Sequence, residues 1–201
     1  TADLCTGLYG AIGILSALAG RQTTGKGMKV ETSLFHAQLS LLNYHAAFSR
    51  FTGVPAKRLG SAHAGHAVHG AFKTQDGWIT IEAAFNKHFH GVCRVIGMPE
   101  MIDDPKYVDD RTRNLHRTEL LPILEQAFLR RKTADLYEAL DKEGVPVGPV
   151  NNMLEAVEHP QAVEYGAIRP LSFENSKVDV LTTPLWFNGV HEHPMKSPPV
   201  M

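Results

Sequence analysis

Asp3 stands, with Thr6, where an apolar pattern begins, and Leu4, Leu8, Ile12, Leu15 and Ala19 then recur at helical spacing. By position alone a carboxylate there is an ordinary helix N-cap. A carboxylate at a helix start also meets unpaired N–H groups and the positive end of the dipole. Both favour its ionised form, which suits a nucleophile at neutral pH. Capping and attacking are compatible roles, and position does not choose between them.

The other chemistry-bearing patterns are incomplete. Gly20-Arg-Gln-Thr-Thr-Gly-Lys26 comes within one residue of a phosphate loop, but residue 27 is Gly, so the hydroxyl that holds magnesium is missing. Its context is also reversed, with a helical pattern before it and an alternating one after. Gly7, Gly10 and Gly13 lack the spacing of a dinucleotide site. Three apart in a helix, they predict a face that another backbone approaches closely. His63, His66 and His69, with His191 and His193, invite a metal, yet no Cys or carboxylate adjoins them at ligand spacing. They are expected to face solvent or a substrate, and no metal is assigned. There is no Gly-x-Ser-x-Gly elbow, and Cys5 and Cys93 carry no nucleophile signature.

These residues must be positioned by local elements. The periodicity predicts a helix over 4–19, a loop over 20–27, a strand over 28–32 and, after a Ser33 cap, a helix through Phe35, Leu39, Leu42 and Ala46. From Gly53 to Gly70 the chain turns to Gly, Ala, His and Pro without period, as in a linker or functional loop. Ala71–Thr74 and Trp78–Glu82 flank Asp76-Gly77, a strong hairpin signal. Asn86 is expected to cap a helix ending at Gly97; further helices are predicted over 115–130 and 133–144. An extended stretch over 145–150, two short helices up to Gly166 and strands joined at Asn175-Ser176 follow.

Composition bounds the partners. An apolar share of 43% supports a real core, and 20 Lys and Arg against 21 Asp and Glu lack the basic excess of a nucleic-acid binder. The apolar stretch 8–19, interrupted by Gly10 and Gly13, is shorter than the roughly 20 residues of a membrane span, so no membrane association is expected. Two distant cysteines suit a reducing compartment, and the cytoplasm is the expected location. Thr1 opens the sequence with no Met or signal pattern, and 193–201 is Pro-rich, so the sequence is expected to be an interior piece of a longer protein.

Six pieces in order carry a resemblance. Asp3-Leu-Cys-Thr-Gly7, Gly13 to Arg21 and Thr24 to Leu34 are similar to the central signature of the class III CoA-transferase (CaiB/BaiF) family. Arg58 to His63, Gly70 to Trp78, Gly144 to Asn151, His159-Pro-Gln161 and Pro184 to Gly189 resemble its later landmarks. The resemblance implies an α/β fold, with part of a Rossmann-like large domain, a small α/β domain and two subunits interlocked as a homodimer. It assigns 1–55 to the large domain, 56–70 to a linker and Gly-rich lid, 71–158 to the small domain and 159–201 to a return to the large one. It implies that Asp3 is the catalytic nucleophile in CoA transfer between an acyl-CoA and a carboxylic acid. Coenzyme A enters as substrate, with no permanently bound cofactor. Gly60, Ser61, His63 and Gly65 match in position a mobile loop that covers the intermediate, and are the expected substrate contacts. Without the first half of the large domain, the chain by itself is not expected to turn over. Departures occur at His63-Ala64, at Val68-His69-Gly70, and at His36, where the family often has Asp.

The alternative of the same fold is an α-methylacyl-CoA racemase, which exchanges a proton by an acid/base pair. Racemases carry a Glu early in the small-domain helix; here Phe85 or Asn86 holds that place and Glu82 is displaced toward the strand. A non-catalytic metal-binding or interaction module around the histidines is the third reading.

Overall fold

The computed structural model describes residues 1–173 and 176–191. Asn175, His193 and the Pro-rich end lie outside the described residues. The chain divides into two compact units between Arg58 and Leu59. Each is described by itself.

In the first unit, α1 (Ala2–Thr24) extends the predicted helix at both ends. The expected loop at 20–24 is helical because the chain turns only at Gly25, whose φ of 67° suits a residue without Cβ. At 23 residues α1 is, by length and composition, long and apolar enough to cross a membrane, against the expectation from 8–19. The core helix of a soluble protein passes the same test.

The predicted strand at 28–32 is not one, since no other strand pairs with it among the described residues. It still explains one glycine. A Cβ on Gly13 would sit 2.7 Å from Val30 Cγ1, whereas nothing lies within 4 Å of one on Gly7 or Gly10. The expected close approach is therefore confined to Gly13 and is made by a side chain.

Ser33 accepts from the His36 N–H at 3.2 Å and caps α2 (Leu34–Ser40), as its type predicts. The single helix expected through Ala46 breaks at Asn43, which has a φ of 45°, and resumes as α3 (Asn43–Thr52).

The second unit opens on β1 (His69–Lys73) and β2 (Trp78–Glu82), paired antiparallel with Phe72 opposite Ile79. Thr74 and Gly77 close the hairpin through N–H to O and N–H to Oγ1 bonds of 3.0 Å each. Alternation buries Ile79 and Ile81 and leaves Trp78 and Thr80 outward. β3 (Val147–Pro149) adds to β2, giving the order β1-β2-β3.

Helices α4 (Asn86–Ile96), α5 (Asp110–Leu115), α6 (Arg117–Leu129) and α7 (Thr133–Lys142) supply the rest of the core, with a 3-10 turn at Pro99–Ile102. Phe89, Leu120, Leu124, Phe128, Leu136 and Leu140 are fully buried, and the core spans residues 67–145. Asn86 does not cap α4; Phe85 is the N-cap. The Asn86 amide instead donates to Val108 O and accepts from Arg113. Arg113 is completely buried, donates to Tyr107 O at 2.8 Å and Ala84 O at 2.6 Å, and lies 4.6 Å over the Phe89 ring.

Beyond β3 come α8 (Met153–Glu158), α9 (Pro160–Glu164) and the antiparallel pair β4 (Ile168–Phe173) and β5 (Ser176–Leu181). Asn152 and Glu155 cap α8 reciprocally, and His159 accepts from the Gln161 N–H at the start of α9. Neither helix buries a residue.

Candidate active site

Asp3 lies in the first turn of α1, exposed, at the second helical position. Thr1 is the N-cap, and its carbonyl accepts the first intrahelical bond, from the Cys5 N–H at 2.9 Å. Its side chain makes no capping bond. The N–H groups ahead of Cys5 have no carbonyl partner within the helix, so they surround the carboxylate as donors.

The expected lid residues are in the second unit and are brought together there. Gly60 has a φ of 62°. Ser61 Oγ accepts from the Ala71 N–H at 2.9 Å, and the His63 N–H donates to His69 O at 3.1 Å. His63 Nδ1 accepts from the Gly65 N–H at 3.0 Å, while Arg117 donates to His63 O from both terminal nitrogens. A Cβ on Gly70 would meet Ala62 Cα and Ser61 O at 3.3 Å, so the loop lies directly against β1. Behind it Ala67 and Val68 enter the core. A cavity of about 370 Å³ opens beside the loop, lined by Ser61, His69, Gly70, Thr80, Glu82 and Val147 among others.

The three histidines form a stack. The ring centroids of His63 and His66 are 4.5 Å apart and those of His63 and His69 5.2 Å. His66 Nδ1 is 2.6 Å from Asp110 Oδ2. Sequence reading missed this carboxylate because it lies 44 residues away on α5, with no local signal. His191 is engaged elsewhere, with Nε2 2.6 Å from Thr183 O and its ring stacked on Trp186. Among the described residues no group of three or more His, Cys, Asp or Glu could hold a metal ion.

Elsewhere burial sets the electrostatics. Cys93 is fully enclosed, and burial pushes its thiol up to about 11, which leaves it protonated and unreactive. At the place where a racemase carboxylate would stand, Phe85 is 65% exposed and Asn86 is committed to Arg113. Glu82 ends β2 opposite His69.

The family model described as CoA-transferase family III matches residues 1–201. The chain belongs to that family. CoA-transferase family III relatives include succinyl-CoA:glutarate CoA-transferase of Homo sapiens, 35% identical over 182 residues, covering 90% of this chain and 41% of the relative. Acetyl-CoA:oxalate CoA-transferase of Acetobacter aceti is 32% identical over 195 residues, covering 96% and 49%. The fold is that of a CAIB/BAIF family protein from Brucella suis, with a TM-score of 0.77 at 30% identity, covering 94% of this chain and 49% of that one. This chain thus spans less than half the length of these relatives.

Proposed function

We propose that this protein moves coenzyme A from an acyl-CoA donor to a carboxylic acid, with Asp3 as the covalent carrier. The observation that carries the reading is a family match over the whole chain whose helix α1 presents an exposed carboxylate in an uncapped first turn. An Asp3 oxygen attacks the thioester carbonyl carbon, the C–S bond breaks and CoA leaves as thiolate, giving a mixed anhydride. The thiolate adds to the Asp3 carboxyl carbon and expels the donor acid, leaving an aspartyl-CoA thioester. The incoming carboxylate attacks that thioester and releases the thiolate, which then takes the new acyl group and frees Asp3. Each tetrahedral centre places charge on an oxygen, and the first-turn N–H groups of α1 are preorganised donors for it.

Water must be kept from the anhydride. We assign that task to Gly60, Ser61, His63 and Gly65, whose loop rests on β1 through a few hydrogen bonds and one glycine contact. Glutarate and oxalate, in the names of the two relatives, are both dicarboxylic, so the acceptor is proposed to be a dicarboxylic acid. A Rossmann-like large domain around α1, an interlocked homodimer, a cytoplasmic location and the lack of a resident cofactor complete the proposal. Transfer is preferred to racemisation because an exposed Phe85 stands where a proton-exchanging carboxylate would be needed.

The test is to give the full-length protein a labelled acyl-CoA and an acceptor acid, and to look for acyl and CoA adducts by intact-mass spectrometry. Adducts on Asp3, lost with turnover in Asp3→Ala, are expected. Exchange of the α-proton with solvent while CoA stays on one acid would sink the proposal.

A further inference from the structure

Threonine at an N-cap ordinarily turns its hydroxyl back onto the second or third N–H of the helix. In α1 it does not. Thr1 Oγ1 instead lies 3.2 Å from Gln38 Nε2, which donates to it, and 3.5 Å from Gln38 Oε1, which can accept its proton. Gln38 is held in place by its own helix. α2 packs against α1 through buried Ala37, and Ser40 Oγ donates to the Tyr9 hydroxyl at 2.8 Å. The amide is thus aimed at Thr1 by a packed helix 37 residues further along the chain.

We infer that Gln38 is a positioning residue for the Asp3 chemistry: it engages the Thr1 hydroxyl and so keeps the first-turn N–H groups of α1 open for the reaction's oxyanion. The inference rests on the reading of Asp3 as nucleophile. A capping hydroxyl would occupy the donors of the very turn that carries Asp3. When thiolate adds to the Asp3 carboxyl carbon, the oxygen left on that carbon gains charge beside this turn. An N–H already bonded to a neutral hydroxyl must first give up that bond, so part of its transition-state stabilisation is lost. Ground-state binding of acyl-CoA does not depend on that oxygen, so the effect belongs on kcat and not on KM.

A double-substitution cycle in the full-length protein separates this role from a simple tether between α1 and α2. Removing one oxyanion donor costs about a hundredfold or more, and competition for it costs less, so Gln38→Leu is expected to lower kcat about tenfold with KM within about twofold. Adding Thr1→Val to Gln38→Leu removes the competing hydroxyl and is expected to restore kcat to the level of Thr1→Val alone. If the double variant stays as slow as Gln38→Leu, or if Gln38→Leu forms the Asp3 adducts at the unsubstituted rate, the inference is overturned while the nucleophile stands. If the unsubstituted protein forms no adduct on Asp3 at all, the nucleophile reading fails and takes this inference with it.

Discussion

Helix α1 and the block from Ala67 to Val145 are both rich in apolar residues at regular spacing, yet they end in opposite states. The block encloses its apolar side chains completely, while the 23 residues of α1 bury none, with Leu4, Leu8, Ile12 and Leu15 all more than half exposed. Apolar periodicity is satisfied only when a second layer covers the face it creates. In the block, β1, β2 and the helices α4 to α7 are that layer for one another. α1 has only α2 and the 28–32 segment beside it, and most of its surface stays uncovered. Relatives of CoA-transferase family III are more than twice as long as this chain, which gives the uncovered face a natural complement in the part of their length not matched here.

The two cysteines test the contrast directly, because Cys5 sits on α1 and Cys93 in the block. Cys93 is enclosed and its thiol pushed up to about 11, so it reacts only when the block opens. A thiol reagent at pH 8 is expected to modify Cys5 at least about a thousandfold faster than Cys93, with denaturant removing the difference. Comparable rates without denaturant would break the comparison.

Truncations sharpen it. Leu124→Ala and Phe128→Ala are expected to cost about 2–5 kcal/mol of unfolding free energy, since both side chains are fully enclosed. Leu15→Ala in the same 201-residue chain should cost less than about 0.5 kcal/mol, because Leu15 is 66% exposed. An equal loss from Leu15 and Leu124 in denaturant melts would mean that α1 is covered after all. Arg113→Met comes next, at about 2–3 kcal/mol, because Ala84 O and Tyr107 O lose their buried donor while Met keeps much of the packing on Phe89. Within the block this is the residue whose polar bonds, and not its size, hold the start of α4 to α5.

What the sequence disclosed follows the same division. The hairpin at Asp76-Gly77, the Ser33 cap and the core helices were legible because each depends on near neighbours: Ile79 and Ile81 alternate, and Leu120, Leu124 and Phe128 recur on one face. The failures are long-range. The 28–32 segment alternates as a strand should, but a strand exists only with a partner, and the described chain gives it none. Asn86 is a good cap by type, but a buried arginine 27 residues away takes its amide oxygen. At the candidate site the resemblance pointed to Asp3 and the loop from Gly60 to Gly65. Nothing local pointed to Gln38 or Asp110, whose partners are 37 and 44 residues distant.

The smallest expected effect concerns pH, and it also separates the block from its surface. His88 is 8% exposed, with Nδ1 buried and without a partner among the described residues. Burial, and then the Lys87 charge, lower its pKa from the ordinary 6.5, with Glu82 opposing. Above 6.5 the ring is neutral in both the folded and unfolded chain. As pH falls through that value the unfolded chain takes up a proton that the folded one resists, so stability declines until the folded ring protonates too. Asp76 and Asp109 have lowered pKa values because Thr133 and Thr112 donate to them, so their contributions are lost only as pH falls below about 3.8. The windows do not overlap. Denaturant melts between pH 7 and 5 are therefore expected to show a shallow loss of stability that His88→Leu flattens and Asp76→Asn leaves alone. If Asp76→Asn flattened the slope and His88→Leu did not, the enclosed histidine would not be the group that titrates.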